Sequence, residues 1–219
     1  MNSLLTFRNF TNLNFGEIQF TKDDLTPLRE EVKGLKKDKD GYKKANNELV
    51  GQIKQEYILT KSFDFIENLL TPYVNSYISE NKLFAKYNIF LNDYILFKDH
   101  NVRLNKLWVN FQNKHEFNPT HFHTGLVTFV IWLQIPYKIE EEAKLHPGKH
   151  ATESYAGAFS FYITDILGDI GVETFIVDKS WKYKCLIFPS ALRHHVYPFY
   201  TSNKSRISVS GNFCLANLK

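Results

Sequence analysis

The segment NPTHFHTGLVTF, residues 118–129, places two histidines one residue apart, directly before an apolar run. In a β-strand the side chains of residues i and i+2 point to the same face. His121 and His123 can therefore direct both imidazoles at one point, while Phe122 packs on the opposite side. Two imidazoles on one face can bind a metal ion. Alone, such a pair is also common among ordinary polar loop residues.

Short segments with strand character surround this pair in the C-terminal half. Leu107, Val109 and Phe111 alternate with Trp108, Asn110 and Gln112. Further strands are predicted over 126–135, 158–163, 172–177, 183–188 and 205–213. Aromatic residues, which favour pleated surfaces, make up 16% of the chain. Several short strands separated by turn residues predict an antiparallel sandwich or barrel.

The N-terminal half combines one extended segment, residues 4–20, with helical patterns. Thr26 and Pro27 predict an N-cap followed by proline at the first helical position. Apolar residues then recur every three or four positions in three predicted helices. These stripes are Leu28, Val32 and Leu35; Ala45, Leu49, Ile53 and Tyr57; and Ile66, Leu69, Leu70, Tyr73, Val74 and Tyr77. We expect the helices to pack against one face of a sheet.

Two motifs downstream add chemistry to the histidine pair. The first, FPSALRHHVYP at residues 188–198, ends an apolar strand at a proline turn and then presents His194. The second, RISVSGNF at residues 206–213, places Arg206, Ser208 and Ser210 on one face of a strand. An arginine on the polar face of an apolar strand needs an anion, and a bound carboxylate held by two parallel hydrogen bonds would serve.

Taken together, these motifs resemble the Fe(II)/2-oxoglutarate-dependent oxygenases. More narrowly, they are similar to a prolyl-hydroxylase-like oxygenase family of tailed phages and some bacteria. The resemblance covers about residues 105–213 and rests on segments 108–110, 118–123, 188–198 and 206–212. It implies an α+β, mainly β fold: a double-stranded β-helix (jelly roll) with a supporting group of N-terminal helices.

The same resemblance implies the ligands and the chemistry. The metal ligands would be His121, His123 and His194, holding Fe(II) with positions left open for 2-oxoglutarate and O₂. Arg206 would pair with the far carboxylate of 2-oxoglutarate, assisted by the hydroxyl of Ser208, and Asn110 is a weaker candidate for contacting this cosubstrate. The reaction implied is hydroxylation of a C–H bond of an unidentified substrate. Likeness to prolyl hydroxylases suggests a protein or peptide side chain.

Several alternatives stay open at this level. The wider superfamily usually has Asp or Glu where His123 stands, and three histidines also suit zinc. His195 could replace His194, because strand parity does not decide between neighbours beside a turn. Relatives often carry small and aromatic residues over 129–132, where this chain has Phe129, Ile131 and Trp132. A tyrosine that would contact the cosubstrate is therefore missing from that strand.

Composition and charge narrow the remaining questions. The 219 residues carry a net charge of +4 with lysines and acids interleaved, so we expect no nucleic-acid partner. No apolar run is long enough for a membrane span, and two cysteines make no disulfide framework, so a cytoplasmic protein is expected, in the host cytoplasm if it is phage-encoded.

We expect one domain, 1–219, with a helical support region over 22–80 and a catalytic core over 104–214. The charged segment 138–157 is expected to be a long loop, either a lid over the site or a plain surface excursion. Oligomeric state is not indicated.

Two other function classes remain. A cupin-like metal-binding protein would share the jelly roll and the His-x-His pair. It would leave Arg206 unexplained, and the acidic residue that usually follows the cupin pair is absent from 124–130. A non-enzymatic β-sandwich, such as a virion or interaction module, would use the histidines only as polar residues. Stoichiometric metal and binding of 2-oxoglutarate that depends on Arg206 would separate the three.

Overall fold

Two antiparallel β-sheets enclose the centre of the protein, and helices cover the outer face of the larger one. The computed structural model describes residues 5–9, 14–38, 40–46, 49–81, 102–145, 154–164 and 167–216. The helices are α1 (Thr26–Lys37), α2 (Phe63–Asn81) and α3 (Ile139–Leu145). The strands are β1 (Leu5–Asn9), β2 (Asn14–Gln19), β3 (Glu56–Ile58), β4 (Val102–Gln112), β5 (Asn118–His121), β6 (Val127–Gln134), β7 (Phe159–Thr164), β8 (Ile170–Phe175), β9 (Lys184–Pro189), β10 (His194–Val196) and β11 (Arg206–Leu215).

Strands β4 to β11 form the jelly roll that the sequence motifs imply. The larger sheet has the order β1-β2-β9-β6-β11-β4-β3, and the smaller sheet has the order β5-β10-β7-β8. Four of the eight strands β4–β11 therefore lie in each sheet, and every pairing is antiparallel. Strands β1, β2 and β3 extend the larger sheet at its two edges. The prediction of an α+β, mainly β fold with a jelly-roll core is confirmed.

Alternate side chains of β4 and β11 point to opposite faces of the larger sheet, where two separate hydrophobic cores lie. Leu107, Val109 and Ile207 point to the helices and join one buried cluster with residues of α1 and α2. A second cluster, rich in aromatic side chains such as Trp132 and Phe159, fills the space between the two sheets. Strand β6 is buried along almost its whole length because both of its faces are covered, which explains its unbroken apolar sequence.

Helices α1 and α2 carry the predicted apolar stripes, and they are joined by a buried carboxylate. Glu31 of α1 accepts hydrogen bonds from the backbone N–H groups of Thr60, Lys61 and Ser62 at 3.0, 3.0 and 2.8 Å, and from the Ser62 hydroxyl at 2.5 Å. These N–H groups precede the first turn of α2, where the helix itself offers no acceptors. The predicted cap at Thr26 is wrong: Leu25 precedes α1 without a side-chain cap, although Pro27 does lie in the first turn.

The described residues of the segment 45–57, which are 45, 46 and 49–57, do not form the predicted second helix. Ala45 donates its N–H to the carbonyl oxygen of Glu56 at 2.8 Å, and β3 pairs with β4, with Glu56 opposite Asn110. The free edge of β4 offers backbone partners that outweigh the weak helical periodicity, since tertiary pairing overrides local propensity. The predicted helical support region over 22–80 therefore contains a short strand as well as α1 and α2.

The segment 138–157 is only partly the irregular loop expected from its charged sequence. Residues Ile139–Leu145 form α3, while 146–153 lie outside the described residues. Glu142 of α3 is fully buried and accepts hydrogen bonds from the backbone N–H groups of Tyr200 and Thr201 at 2.7 and 2.9 Å. This contact ties the start of the segment to the chain that leads into β11. Among the described residues, no helix combines the length and apolarity needed to cross a membrane.

Candidate active site

A cavity opens between the two sheets. Strands β4, β6 and β11 of the larger sheet line one side of the cavity with Trp108, Thr128 and Arg206. The smaller sheet contributes His121 and His194 from the opposite side. A cavity between two sheets, lined by apolar side chains and by several converging polar groups, is a usual location of a small-molecule site.

Three histidines converge in this cavity from two strands and the turn that follows one of them. His121 is the last residue of β5, His123 lies two residues later, and His194 is the first residue of β10. One ring nitrogen from each lies within 4.8 Å of the other two. The ring centroids of His121 and His194 are 4.2 Å apart, and that of His123 is 5.0 Å from each. The geometry is that of three ligands for one ion.

Backbone carbonyls orient two of these rings. Nδ1 of His121 lies 2.7 Å from the carbonyl oxygen of Pro119, and Nδ1 of His194 lies 2.9 Å from that of Leu192. A carbonyl oxygen only accepts, so each Nδ1 must carry the hydrogen. The lone pair of Nε2 is thereby left for a metal, and such a backbone contact is the usual means of fixing a metal-binding histidine.

The environment also keeps the imidazoles neutral. Burial lowers the pKa of His121, and burial followed by repulsion from His121 and Lys106 lowers the pKa of His123 to about 3. Burial and the two neighbouring histidines hold the pKa of His194 well below its usual value. Only a neutral imidazole can bind a metal, so the set is ready to bind at neutral pH without losing protons.

His195 lies apart from this cluster. Its ring stacks on Phe117 with the centroids 6.2 Å apart and contacts Tyr197 at 4.3 Å. Its Nδ1 faces the hydroxyl of Thr120 at 3.5 Å. Of the two neighbours that the sequence left open as the distal ligand, the structure therefore brings His194 to the other two histidines and directs His195 elsewhere.

The predicted orientation of Phe122 is wrong. Its side chain is 52% exposed, and the guanidinium of Arg193 lies 5.1 Å from its ring centroid. Strand β5 ends at His121, so the alternation of faces stops before Phe122 and a turn, not strand parity, brings His123 to the cavity. Gly125, with φ of +116°, lets this turn pass into β6; a Cβ there would lie 3.0 Å from the carbonyl oxygen of Phe213.

Arg206 lines the cavity and is only 2% exposed. Its Nε donates to Oε1 of Gln112 at 2.8 Å, and its Nη1 donates to the hydroxyl of Tyr137 at 2.9 Å and to the carbonyl oxygen of Gly157 at 2.6 Å. Its Nη2 donates to the carbonyl oxygen of Tyr197 at 3.2 Å. Within the described part of the chain, no carboxylate forms an ion pair with this guanidinium.

The predicted bidentate contact of Arg206 with a carboxylate must be revised. A guanidinium has five N–H donors, and four of them already have acceptors in the protein. One N–H of Nη2 is left for an anion, together with the positive charge. The neutral acceptors fix the orientation of the guanidinium but do not cancel its charge, so the site retains a strong preference for an anion.

Ser208 and Asn110 also reach the cavity, as their strand positions predict. They lie opposite each other on β11 and β4, and Nδ2 of Asn110 donates to Oγ of Ser208 at 3.3 Å. Sequence reasoning missed Gln112 and Tyr137, although a tyrosine was sought on β6. Tyr137 follows that strand, and its hydroxyl donates to the carbonyl oxygen of Gly157 at 3.0 Å while it accepts from Arg206. The only indication in the sequence that Gln112 reaches the cavity was its position on the polar face of β4.

Comparisons with known proteins agree with this geometry. The sequence profile of a family described as "Putative 2OG-Fe(II) oxygenase" matches residues 106–212. No curated protein sequence matches the chain. A prolyl hydroxylase from Trichoplax adhaerens, solved with a peptide fragment of the hypoxia inducible factor oxygen degradation domain, shares 16% identity and has a TM-score of 0.51; the alignment covers 93% of this chain and 84% of that chain.

A second solved structure is HygX from Streptomyces hygroscopicus with nickel, 2-oxoglutarate and hygromycin B bound. It shares 11% identity and has a TM-score of 0.53; the alignment covers 95% of this chain and 85% of that chain. At such identities the structural likeness establishes the fold. The matched segment 106–212 contains all three clustered histidines and Arg206. Residues 106–212, just under half of the chain, are therefore similar to the 2OG-Fe(II) oxygenase family, and the core of the chain is a double-stranded β-helix.

Proposed function

We propose that this protein is an Fe(II)- and 2-oxoglutarate-dependent dioxygenase that hydroxylates a C–H bond, with residues 104–214 as the catalytic core and residues 22–80 as its support. One observation carries the proposal. Three neutral imidazoles, those of His121 and His194 buried and that of His123 half-buried, share a cavity with a buried guanidinium that no carboxylate of the described residues neutralises. A divalent metal and a dianionic cosubstrate would complete these two features at once.

The donor set fits a ferrous ion. His121, His123 and His194 would supply three nitrogen ligands, which leaves coordination positions for 2-oxoglutarate and O₂. With a third imidazole in place of the usual carboxylate, the protein contributes no negative charge to the metal. The dianion of 2-oxoglutarate would then balance the charge of the ion, which makes metal and cosubstrate binding mutually dependent.

Arg206 would hold the carboxylate of 2-oxoglutarate that lies farther from the metal. Its one remaining N–H and its charge provide the contact, and the Ser208 hydroxyl beside it offers a second donor, with Asn110 placed to orient that hydroxyl. Gln112 and Tyr137 would keep the guanidinium in place whether or not the cosubstrate is bound.

The overall reaction balances as R–H + O₂ + 2-oxoglutarate → R–OH + succinate + CO₂. One oxygen atom enters the new hydroxyl group, the other enters succinate, and decarboxylation of 2-oxoglutarate supplies the two electrons that O₂ needs beyond those taken from the C–H bond. Bound iron supplies the activation of O₂. The aromatic cluster between the sheets restricts water around the reacting atoms.

A protein or peptide side chain is the substrate class we propose. The prolyl hydroxylase from Trichoplax adhaerens with the same fold is bound to a peptide. In this chain Phe122, between two of the metal-binding positions, exposes its ring beside Arg193, which gives a polypeptide an aromatic and cationic surface to contact.

Anaerobic titration with Fe(II) and 2-oxoglutarate tests the assignment. The metal-to-ligand charge-transfer band of the ternary complex should appear with the wild-type protein, weaken strongly in His194→Ala and in Arg206→Ala, and persist in His195→Ala. His195 is the matched control because it is adjacent in sequence but stacked outside the cluster.

The outcomes separate the rival functions. Stoichiometric metal without a 2-oxoglutarate-dependent band would indicate a cupin-like metal protein. Absence of metal binding by folded wild-type protein would indicate a non-enzymatic module. A band that is unchanged in both His194→Ala and Arg206→Ala would refute the residue assignment.

A further inference from the structure

A group of hydrogen-bond acceptors in the same cavity has no donor. Oε1 of Glu56, Oδ1 of Asn110 and Oδ1 of Asn118 are buried and have no hydrogen-bond partner within the described structure. The three residues are only 2%, 7% and 9% exposed, and all three line the cavity. None of them is a member of the histidine cluster.

Such a group is costly unless a ligand uses it. A buried acceptor without a partner costs about 1–3 kcal/mol, and native proteins tolerate few of them. Here all three acceptors belong to residues that line one cavity, and one of them is a carboxylate oxygen, which offers no donor when ionised. The chemistry that would satisfy all three is a group with several N–H donors and a positive charge.

The strands place these acceptors next to the catalytic groups. Glu56 of β3 lies opposite Asn110 of β4, and Asn110 lies opposite Ser208 of β11. Asn118 begins β5, the strand that ends at His121. The acceptor group therefore borders both the proposed cosubstrate position and the proposed metal, which is where a substrate must lie to be hydroxylated.

An apolar wall adjoins the acceptors. Leu49, Val50 and Ile53 line the cavity together with Glu56. The chain between them approaches Asn118 so closely that a Cβ on Gly51 would lie 1.9 Å from Oδ1 of Asn118. An aliphatic stem against the apolar wall, ending in a cationic nitrogen at the acceptors, matches this combination.

The protein itself compensates Glu56 poorly. Its other oxygen, Oε2, accepts one hydrogen bond from Nδ2 of Asn46 at 3.2 Å. Burial and the nearby Glu116 raise the pKa of Glu56 to about 7, although Lys106 acts in the opposite direction. A ligand cation would stabilise the ionised carboxylate that burial disfavours.

We infer that the substrate of the proposed dioxygenase carries an alkylammonium group, held by Glu56, Asn110 and Asn118 while its aliphatic stem lies along Leu49, Val50 and Ile53. The inference rests on the proposed function and adds to it the chemical group by which the substrate is recognised. The same chemistry is offered by a lysine side chain of a polypeptide and by a small free amine.

Calorimetric titration of the purified full chain, both metal-free and loaded with Fe(II) and 2-oxoglutarate under anaerobic conditions, tests the inference. The probes are a hexapeptide with one central lysine, the same peptide with norleucine in place of lysine, and n-pentylamine. We expect the lysine peptide or the amine to bind, and the norleucine peptide to bind at least about ten-fold more weakly than the lysine peptide, since one charge-assisted hydrogen bond accounts for that factor.

The matched variants are Glu56→Gln, which should weaken binding of the amine probes at least about ten-fold, and Glu173→Gln on the exposed face of β8, which should not change it. Tighter binding of the peptide than of pentylamine indicates a polypeptide substrate, and the reverse indicates a small amine. Equal binding of the lysine and norleucine peptides by the wild-type protein overturns the inference even if Glu56→Gln fails to fold.

The two hypotheses fail in different ways. A charge-transfer band without amine binding would leave the dioxygenase assignment intact and remove the alkylammonium substrate. Amine binding that depends on Glu56 in a protein without the band would retain the binding site and remove the oxygenase chemistry.

Discussion

Replacing Arg206 by lysine keeps the positive charge at this position but removes the directed hydrogen bonds of the guanidinium. Arg206 donates four hydrogen bonds within the protein from three nitrogen atoms, which leaves one N–H for the proposed contact with the cosubstrate. A lysine ammonium has three donors on one atom and cannot reach the positions of Nε, Nη1 and Nη2 together. The charge stays, but the N–H directed to the 2-oxoglutarate carboxylate is lost.

The expected loss follows from that single contact. A hydrogen bond between charged partners contributes about 1.5–3 kcal/mol, so the dissociation constant of 2-oxoglutarate should rise by about 10- to 150-fold. The free energy of unfolding should also fall by about 1–3 kcal/mol for each protein acceptor that loses its donor, with Gln112 and the carbonyl of Gly157 as the first candidates.

The assay is the anaerobic titration of the Fe(II)-loaded protein with 2-oxoglutarate, following the charge-transfer band. Arg103→Lys is the matched control, because Arg103 is an exposed arginine at the opposite end of β4 from Gln112. Thermal melting confirms that both variants are folded at the temperature of the titration. Binding of 2-oxoglutarate by Arg206→Lys within two-fold of the wild type, at equal iron loading, would refute the proposed role of the guanidinium.

Four further predictions concern stability, each measured by urea unfolding of the metal-free protein. Gly211→Ala should lose about 2–3 kcal/mol, because its Cβ would lie 2.7 Å from the carbonyl oxygen of Lys106 and 2.6 Å from the Phe129 ring. Gly34→Ala, with open space in α1, should instead gain about 0.5–1 kcal/mol, and equal effects would contradict the packing argument. Glu31→Gln should lose about 2–3 kcal/mol, since a neutral amide oxygen accepts less strongly from the N–H groups before α2, and an unchanged midpoint would contradict this. The free energy of unfolding should also fall as the pH drops below about 6.5, by up to about 1.4 kcal/mol per pH unit for each clustered histidine. The reason is that the unfolded chain binds protons on these histidines, whereas the lowered pKa values keep them unprotonated in the folded protein. A free energy of unfolding that is constant from pH 7 to 5 would exclude this linkage.

The sequence predicted those parts of the fold whose signal is local. Alternation along β4 and β11 identified which residues face the helices, and the apolar stripes of α1 and α2 identified their buried sides. The error over residues 45–57 arose because β3 is specified by a partner strand about fifty residues away. The face of Phe122 was predicted wrongly because the last residue of β5 has no sequence marker.

The proposed catalytic groups could be named from the sequence because each belongs to a recognisable motif. His121, His123, His194 and Arg206 all line the cavity. The groups that orient them were not predictable, since backbone carbonyls such as those of Gly157 and Leu192 carry no residue-type signature. Glu56 was also missed, because it was assigned to a helix that does not form, and only the pairing of β3 with β4 brings its carboxylate to the cavity.

Strand β5 has few residue pairs with the rest of the smaller sheet. It is an edge strand, and only two residue pairs join it to β10: His194 with His121, and Val196 with Asn118, with an irregularity between them. An ion bound by His121 and His194 would therefore link β5 to β10 at one of these two residue pairs. Hydrogen exchange of β5 amides should slow when iron is loaded. Iron loading would then slow proteolysis of the protein as well as enable catalysis, because a protease can cleave β5 only after this edge strand has separated from the sheet.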